Sequence, residues 1–388
     1  MRLRNILYVI ENEFFGGGER AFAQVINGLN KDRFKCYAAC LPPSAGRCSE
    51  PFADEINSAA EIVPFDMRSR FDIGNVPRLA RIIRNKNIDI VHSQGARADF
   101  CSRLAVRSAK SPALICTRAV PLEEYDVCPL KKAAYVALDR LGERYVDKFI
   151  VVAEHLRMKL DATRGIPPDK MVMIHNGVDA EAYSCDSRTA SAVREEMGVT
   201  SESLVIGAVG RLAKEKGLTY LIEAAKIMTS AKEARFLIVG EGGEEESLKA
   251  QVRLLGLKDK VVFTGFRKDV RGVLGAIDIL TLPSLREGFP MVVLEAMAAS
   301  KPIIATNIAG VNESVVDGVN GKLVPPKNPK ALADAISALL SDGDAAEMMG
   351  QAGRRIVSEK FSLRMMIEKH EKLYDELLPE EVPDPCAA

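Results

Sequence analysis

Two carboxylates separated by seven residues carry the most chemistry in this chain. In SLREGFPMVVLEAMAASKPIIATNIAGVNESVVDGVNGKLV, residues 284–324, Glu287 and Glu295 bracket the segment that begins Gly288, Phe289, Pro290 and Met291. Gly288 lets the backbone approach a ligand, and Pro290 suits the first turn of a helix. Glu287 would then sit in a loop and Glu295 about five residues into a helix, roughly 7.5 Å along its axis. Free backbone N–H groups between them can hold an anion. The carboxylates can accept hydrogen bonds from sugar hydroxyls on either side of a diphosphate. Spacing alone fits a surface-loop Glu and a helix-face Glu equally well.

Other candidates are more isolated. FFGGGER, Phe14 to Arg20, follows a first apolar run, and glycines such as Gly16 and Gly17 at a strand-to-helix turn let main-chain N–H groups reach a phosphate or sugar oxygen. The loop is not G-x-G-x-x-G with an acid about 20 positions on, so a dehydrogenase loses its main support. His92 ends IDIVH and puts an imidazole at a strand end, where a structural histidine is the commoner case. His155 and His175 have weaker claims. No convincing DxD metal motif is present: Asp342-Gly343-Asp344 falls between helical stretches and reads as a helix cap, so no metal is expected. Eight Cys without CxxC pairs or a His/Cys cluster read as reduced thiols.

These residues need a scaffold, and the apolar pattern supplies one. Short apolar runs at 5–10, 34–40, 61–65, 88–92, 113–117, 148–152 and 171–175 alternate with helical periodicity, and the scheme repeats at 204–210, 235–240, 260–265, 278–283, 302–306 and 321–326. That alternation predicts α/β architecture with two doubly wound parallel sheets. The expected domains are 1–180 and 181–360, with a helix over 361–378 and an acidic, disordered tail over 379–388. Ligands in such folds sit at strand carboxyl ends, so a cleft between the domains is the expected site.

The stretch 284–324, taken with GRLAKEKG at 210–217, IVGEGGEEESL at 238–248 and HNGVD at 175–179, resembles the retaining glycosyltransferases of family 4. The resemblance implies the GT-B fold, two Rossmann-like domains facing across a cleft, with C-terminal helices crossing back to the first domain. It implies that Arg211 and Lys216 bind the donor diphosphate, Glu295 the nucleotide ribose and Glu287 the donor sugar, with the Gly288 to Met291 backbone between them. A guanidinium and an ammonium just beyond a strand end suit that charge. Similar proteins position the base near Phe266 and Arg267, place a His like His92 beside the donor sugar, and turn glycines like Gly16 and Gly17 toward donor or acceptor.

The implied function is retaining transfer of a sugar from a nucleotide diphosphate sugar, UDP-sugar ahead of GDP-sugar, to a hydroxyl of a glycan, glycolipid or small molecule, in polysaccharide, lipopolysaccharide or glycolipid synthesis. No cofactor or metal is implied. A sugar-nucleotide epimerase or glycan phosphorylase, and a non-catalytic nucleotide-sugar-binding protein, are the alternatives. The sequence offers no second carboxylate for a double displacement, so Glu287 reads as a sugar-orienting group.

The 388 residues carry 53 Lys+Arg against 53 Asp+Glu, which argues against a nucleic-acid partner. Apolar runs are too short for a membrane span, and MRLRNILYVIENE reads as a strand instead of a signal peptide, so the cytoplasm is the expected location. The balance hides a gradient: residues 1–180 hold 27 basic and 22 acidic side chains, and the last eighteen hold one basic and six acidic. The segment 121–148 contains an expected helix with Lys131, Lys132, Arg140 and Arg144 along it, more in keeping with a solvated face than a membrane contact. Within 64–164 the count is 19 against 12, which leaves room for an anionic acceptor or the inner membrane face.

Overall fold

The computed structural model describes residues 2–10, 16–40, 52–56, 58–65, 74–109, 112–119, 136–137, 139–184, 187–199, 203–228 and 234–378. Phe14, Phe15, Lys131, Lys132, the tail 379–388 and Cys48, Cys128, Cys185 and Cys386 lie outside them.

The chain divides into two compact units. The first comprises described residues up to His175 together with those from Arg364 onward, and the second spans Asn176–Leu363. The boundary expected at residue 180 thus falls slightly earlier, and the last helix is part of the first unit. The reason is local pairing inside the second unit: the Val178 N–H donates to the Phe361 carbonyl at 3.0 Å and the Leu363 N–H to the Val178 carbonyl at 2.9 Å. Gly177 permits this, since a Cβ there would lie 2.6 Å from the Ser362 carbonyl oxygen.

The first unit holds a seven-stranded sheet in the order β3-β2-β1-β4-β5-β6-β7. Its strands are β1 (Arg4–Ile10), β2 (Phe34–Cys40), β3 (Ala60–Pro64), β4 (Ile90–Gln94), β5 (Ala113–Arg118), β6 (Lys148–Val151) and β7 (Met171–Met173). The second unit holds a six-stranded sheet in the order β10-β9-β8-β11-β12-β13. Here the strands are β8 (Leu204–Val209), β9 (Ala234–Val239), β10 (Val261–Gly265), β11 (Ile279–Leu282), β12 (Ile303–Thr306) and β13 (Gly321–Val324). Every neighbouring pair in both sheets is parallel. Helices cover such strands on both faces, which is why the strands read as continuous apolar runs. In the second unit Ile206, Phe236, Ile279 and Ile304 share one core with Leu221, Ala225 and Ile336 from the helices Leu218–Ile227 and Pro329–Ser341.

In each sheet the strand order reverses beside the first strand, between β1 and β4 and between β8 and β11. Crevices open at such reversals because connections leave the two strands on opposite faces. Helix Leu363–Leu377 completes the first unit, where Tyr374 hydrogen-bonds Tyr8 at 3.0 Å and Arg33 pairs with Glu371 and Asp375 at 3.1 and 2.5 Å. Arg4 also pairs with Asp375. Among the described residues no helix is long and apolar enough to cross a membrane.

Candidate active site

A concavity in the second unit lies at its strand-order reversal. It is a shallow pocket lined by Ala208 to Arg211 where β8 ends, Thr281 to Ser284 where β11 ends, and Lys216 and Leu218 from the connection that follows β8. Glycines set that connection. Gly217 has φ +61° and a Cβ there would lie 2.2 Å from the Pro283 carbonyl oxygen, so only glycine lets the Lys216 turn rest on the end of β11.

Within this pocket the two expected groups meet. The Lys216 ammonium lies 2.7 and 3.0 Å from the two Glu287 carboxylate oxygens, and Ser284 donates its hydroxyl to the same carboxylate at 2.6 Å. Glu287 is mostly buried, its side chain 8% exposed. Arg211 is 59% exposed and reaches Glu215 at 2.6 Å. Burial alone would raise the Glu215 carboxyl, but a backbone hydrogen bond and the Arg211 guanidinium outweigh it and leave it below the usual range. Two cations thus stand at the mouth of the pocket, each held by a carboxylate.

The loop after Glu287 turns into helix Met291–Ala298, with Pro290 just before its first residue. The Phe289 and Met291 side chains are buried, which leaves their backbone, not their side chains, for any ligand. The Phe289 carbonyl accepts from Asn176 Nδ2 at 2.9 Å. Glu295 is buried and accepts a hydrogen bond from the Tyr183 hydroxyl at 3.0 Å. Sequence reasoning missed Tyr183, since nothing near it in the chain marks it as a partner for a residue 112 positions away. At the end of β10 the Phe266 N–H reaches Glu241 at 3.4 Å, while Arg267 is engaged by Glu196 at 2.5 and 2.8 Å.

In the first unit, Gly16 precedes helix Gly17–Gly28, and the Glu19 carboxylate takes the Gly16 N–H at 3.0 Å. His92 is fully buried. Its Nδ1 lies 2.7 Å from the Tyr374 hydroxyl and its Nε2 2.8 Å from Thr117 Oγ1. Burial, with His370 stacked beside it, holds the imidazole well below its ordinary pKa.

Residues 15–182 match the profile described as Glycosyltransferase Family 4, and residues 191–356 that of Glycosyl transferases group 1. The chain belongs to glycosyltransferase family 4. An uncharacterised glycosyltransferase of Methanocaldococcus jannaschii is 31% identical over 58% of this chain and 59% of that protein. The capsular polysaccharide biosynthesis glycosyltransferase CapM of Staphylococcus aureus is 26% identical over 84% of this chain and 87% of its own. Among solved structures, Anabaena HepE in complex with UDP-glucose superposes with a TM-score of 0.84 at 22% identity, covering 96% of this chain and 99% of that one. This likeness shows that the glycosyltransferase has the GT-B fold.

Some expected positions fare differently in this glycosyltransferase. His92 is not presented to a ligand: its nitrogens are both occupied inside the first unit, so the structural alternative holds for it. Arg267 faces Glu196 instead of standing open beside a base. Gly16 has given its N–H to Glu19, which places a carboxylate where an anion was expected. Asp342 caps the helix Gly343–Lys360, accepting the Ala345 N–H at 3.0 Å, in line with its reading as a cap.

Proposed function

We propose that this glycosyltransferase moves a sugar from a nucleotide diphosphate sugar to an acceptor hydroxyl with retention at the anomeric carbon. The observation that carries the reading is the Lys216–Glu287 pair, anchored by Ser284, at the strand-order reversal of the second sheet. A UDP-sugar is the first donor to try, supported by the UDP-glucose complex of Anabaena HepE, and a GDP-sugar the second. The capsular polysaccharide assignment of the Staphylococcus aureus relative supports a polysaccharide or glycolipid acceptor.

The departing diphosphate gathers negative charge as its bond to the sugar lengthens. Lys216 and Arg211 would meet that charge, a stabilisation realised mainly in the transition state. In the free protein Glu287 holds the ammonium. Once a donor is bound, the carboxylate would accept from sugar hydroxyls while Lys216 turns to the phosphate. Glu295 would take the ribose hydroxyls, positioned by Tyr183. The acceptor oxygen forms the new bond from the face that the diphosphate leaves and passes its proton to a departing phosphate oxygen. No divalent ion is needed in this scheme.

The test is nucleotide release from UDP- and GDP-sugars with and without acceptor glycans, with the product anomer read by NMR. Acceptor-dependent release with retained configuration, unchanged by a chelator, is expected. Turnover without acceptor would favour an epimerase, turnover only with free phosphate a phosphorylase, and an inverted product would overturn retention.

A further inference from the structure

We propose that the edge of the first unit formed by Arg84, Arg107, Arg140, Arg144 and Tyr145, with Leu141 projecting from it, docks on an anionic lipid surface. Contacts tie these residues into one patch. Arg107 and Arg144 donate to the Tyr145 hydroxyl at 2.9 and 2.7 Å, and their guanidinium carbons lie 5.4 and 4.8 Å from its ring centre. Arg84 reaches the carbonyl of Ser108, next to Arg107, at 3.3 Å. Arg140 and Leu141 stand on the short helical stretch just before Arg144.

Among the described residues the charge of this edge is not cancelled by ion pairs. All four guanidinium groups are exposed, and no carboxylate among the described residues pairs with any of them. Nearby acids are committed inward: Glu143 binds Arg164 at 2.7 Å, Asp139 binds Arg103 and Arg118, and Asp147 accepts the Leu114 N–H at 2.7 Å. Among the described residues these four guanidinium groups are therefore displayed, not neutralised.

Beside these cations Leu141 is 65% exposed. Guanidinium groups for lipid phosphates, a tyrosine suited to the headgroup level and one apolar side chain for the acyl boundary are the ingredients of interfacial binding. Arg84 and Arg107 stand in the last turns of the helices Asn75–Asn85 and Ala96–Ala109, which precede β4 and β5, and Arg144 stands in the turn before β6, so all three lie near the edge where strands begin. Docking there leaves the carboxyl ends of the same strands uncovered. A nucleic acid would also meet the cations, but nothing in its chemistry would use Leu141.

The proposal is tested by co-sedimentation of the full chain with vesicles of phosphatidylcholine alone or with one third phosphatidylglycerol, a measurement independent of any transfer activity. Binding only to the anionic vesicles, weakening as salt rises, is expected. Each surface cation near an anionic leaflet is worth roughly fivefold in affinity, so R107Q/R144Q should bind about 25-fold more weakly. Leu141→Asp should weaken binding too, while Lys330→Gln in the second unit should bind as the parent does. Thermal melts check that each variant folds, and R84Q/R140Q serves as a second pair. Equal binding to neutral vesicles, no binding to either, an undiminished response in both double variants, or preference for a homopolymeric RNA over vesicles at the same salt would each overturn the proposal.

Discussion

At the scale of single residues, the proposed chemistry rests on Lys216 and Glu287, which lie 71 positions apart in sequence and meet at 2.7 Å. Replacing either by Ala should lower transfer by about 10²- to 10³-fold, the usual cost of removing one preorganised electrostatic group. Circular dichroism should show the fold kept, and full activity in either variant would remove the assignment. Tyr183→Phe deletes a donor to the buried Glu295 carboxylate. Hydrogen bonds to charged groups are worth about 1.5–3 kcal/mol, so the donor KM should rise at least about tenfold with kcat changed far less. An unchanged KM would show that Glu295 is positioned without Tyr183. Glu287 and Glu295 were legible because one motif of short spacing holds both. His92 was not, because its partner Tyr374 lies 282 residues away and only the folded chain brings it near.

At the scale of elements, each expected apolar run became a strand, with ends shifted by a residue or two. Boundaries drift because a strand ends where its neighbour stops pairing, which is a property of two segments. The turn carrying Lys216 offers a sharp test. Gly217→Ala would put a Cβ 2.2 Å from a carbonyl oxygen at φ +61°, whereas Gly243→Ala meets nothing within 4 Å. The first should cost more than about 1 kcal/mol in chemical denaturation and weaken donor binding, and the second should be close to neutral. Equal stability of the two variants would show that the turn relaxes freely. A buried ion network in the first unit makes a second case, since Asp139 joins Arg103, Arg118 and Arg164. Burial alone would raise its carboxyl, but the Arg118 and Arg103 guanidinium groups hold it down at about 2. Asp139→Ala strands buried guanidinium groups and should cost about 3–5 kcal/mol.

At the scale of the whole molecule, the chain returns to its first unit through helix Leu363–Leu377, which brings His370 and Tyr374 against His92 and Tyr8. Burial, with His370 alongside, keeps His92 well below its ordinary 6.5, and burial holds His370 at about 4. The unfolded chain therefore takes up protons near pH 6.5 that the native chain refuses. Stability should be lost as pH falls from about 6.5 toward 4, by about 1.4 kcal/mol per pH unit for each histidine. Denaturation curves at pH 5 and 6 should be less pH-dependent for His370→Gln than for the parent by about that amount. Parallel pH dependence would show that the His370 imidazole takes up its proton in the native state. The buried thiols Cys36, Cys40 and Cys116, pushed up to about 12 chiefly by burial, are inert in this range.

The sequence by itself determined the class of architecture, because period and apolar runs are local properties of the chain. It also determined the Glu287–Glu295 motif and the glycines around Lys216, because a short connection fixes the geometry of its own ends. Only the tertiary structure decided the strand orders, the pairing of Lys216 with Glu287, the burial of His92 and the engagement of Arg267 by Glu196. Each of these depends on which distant segments share a sheet edge or a core, and that follows from packing the whole set of elements together.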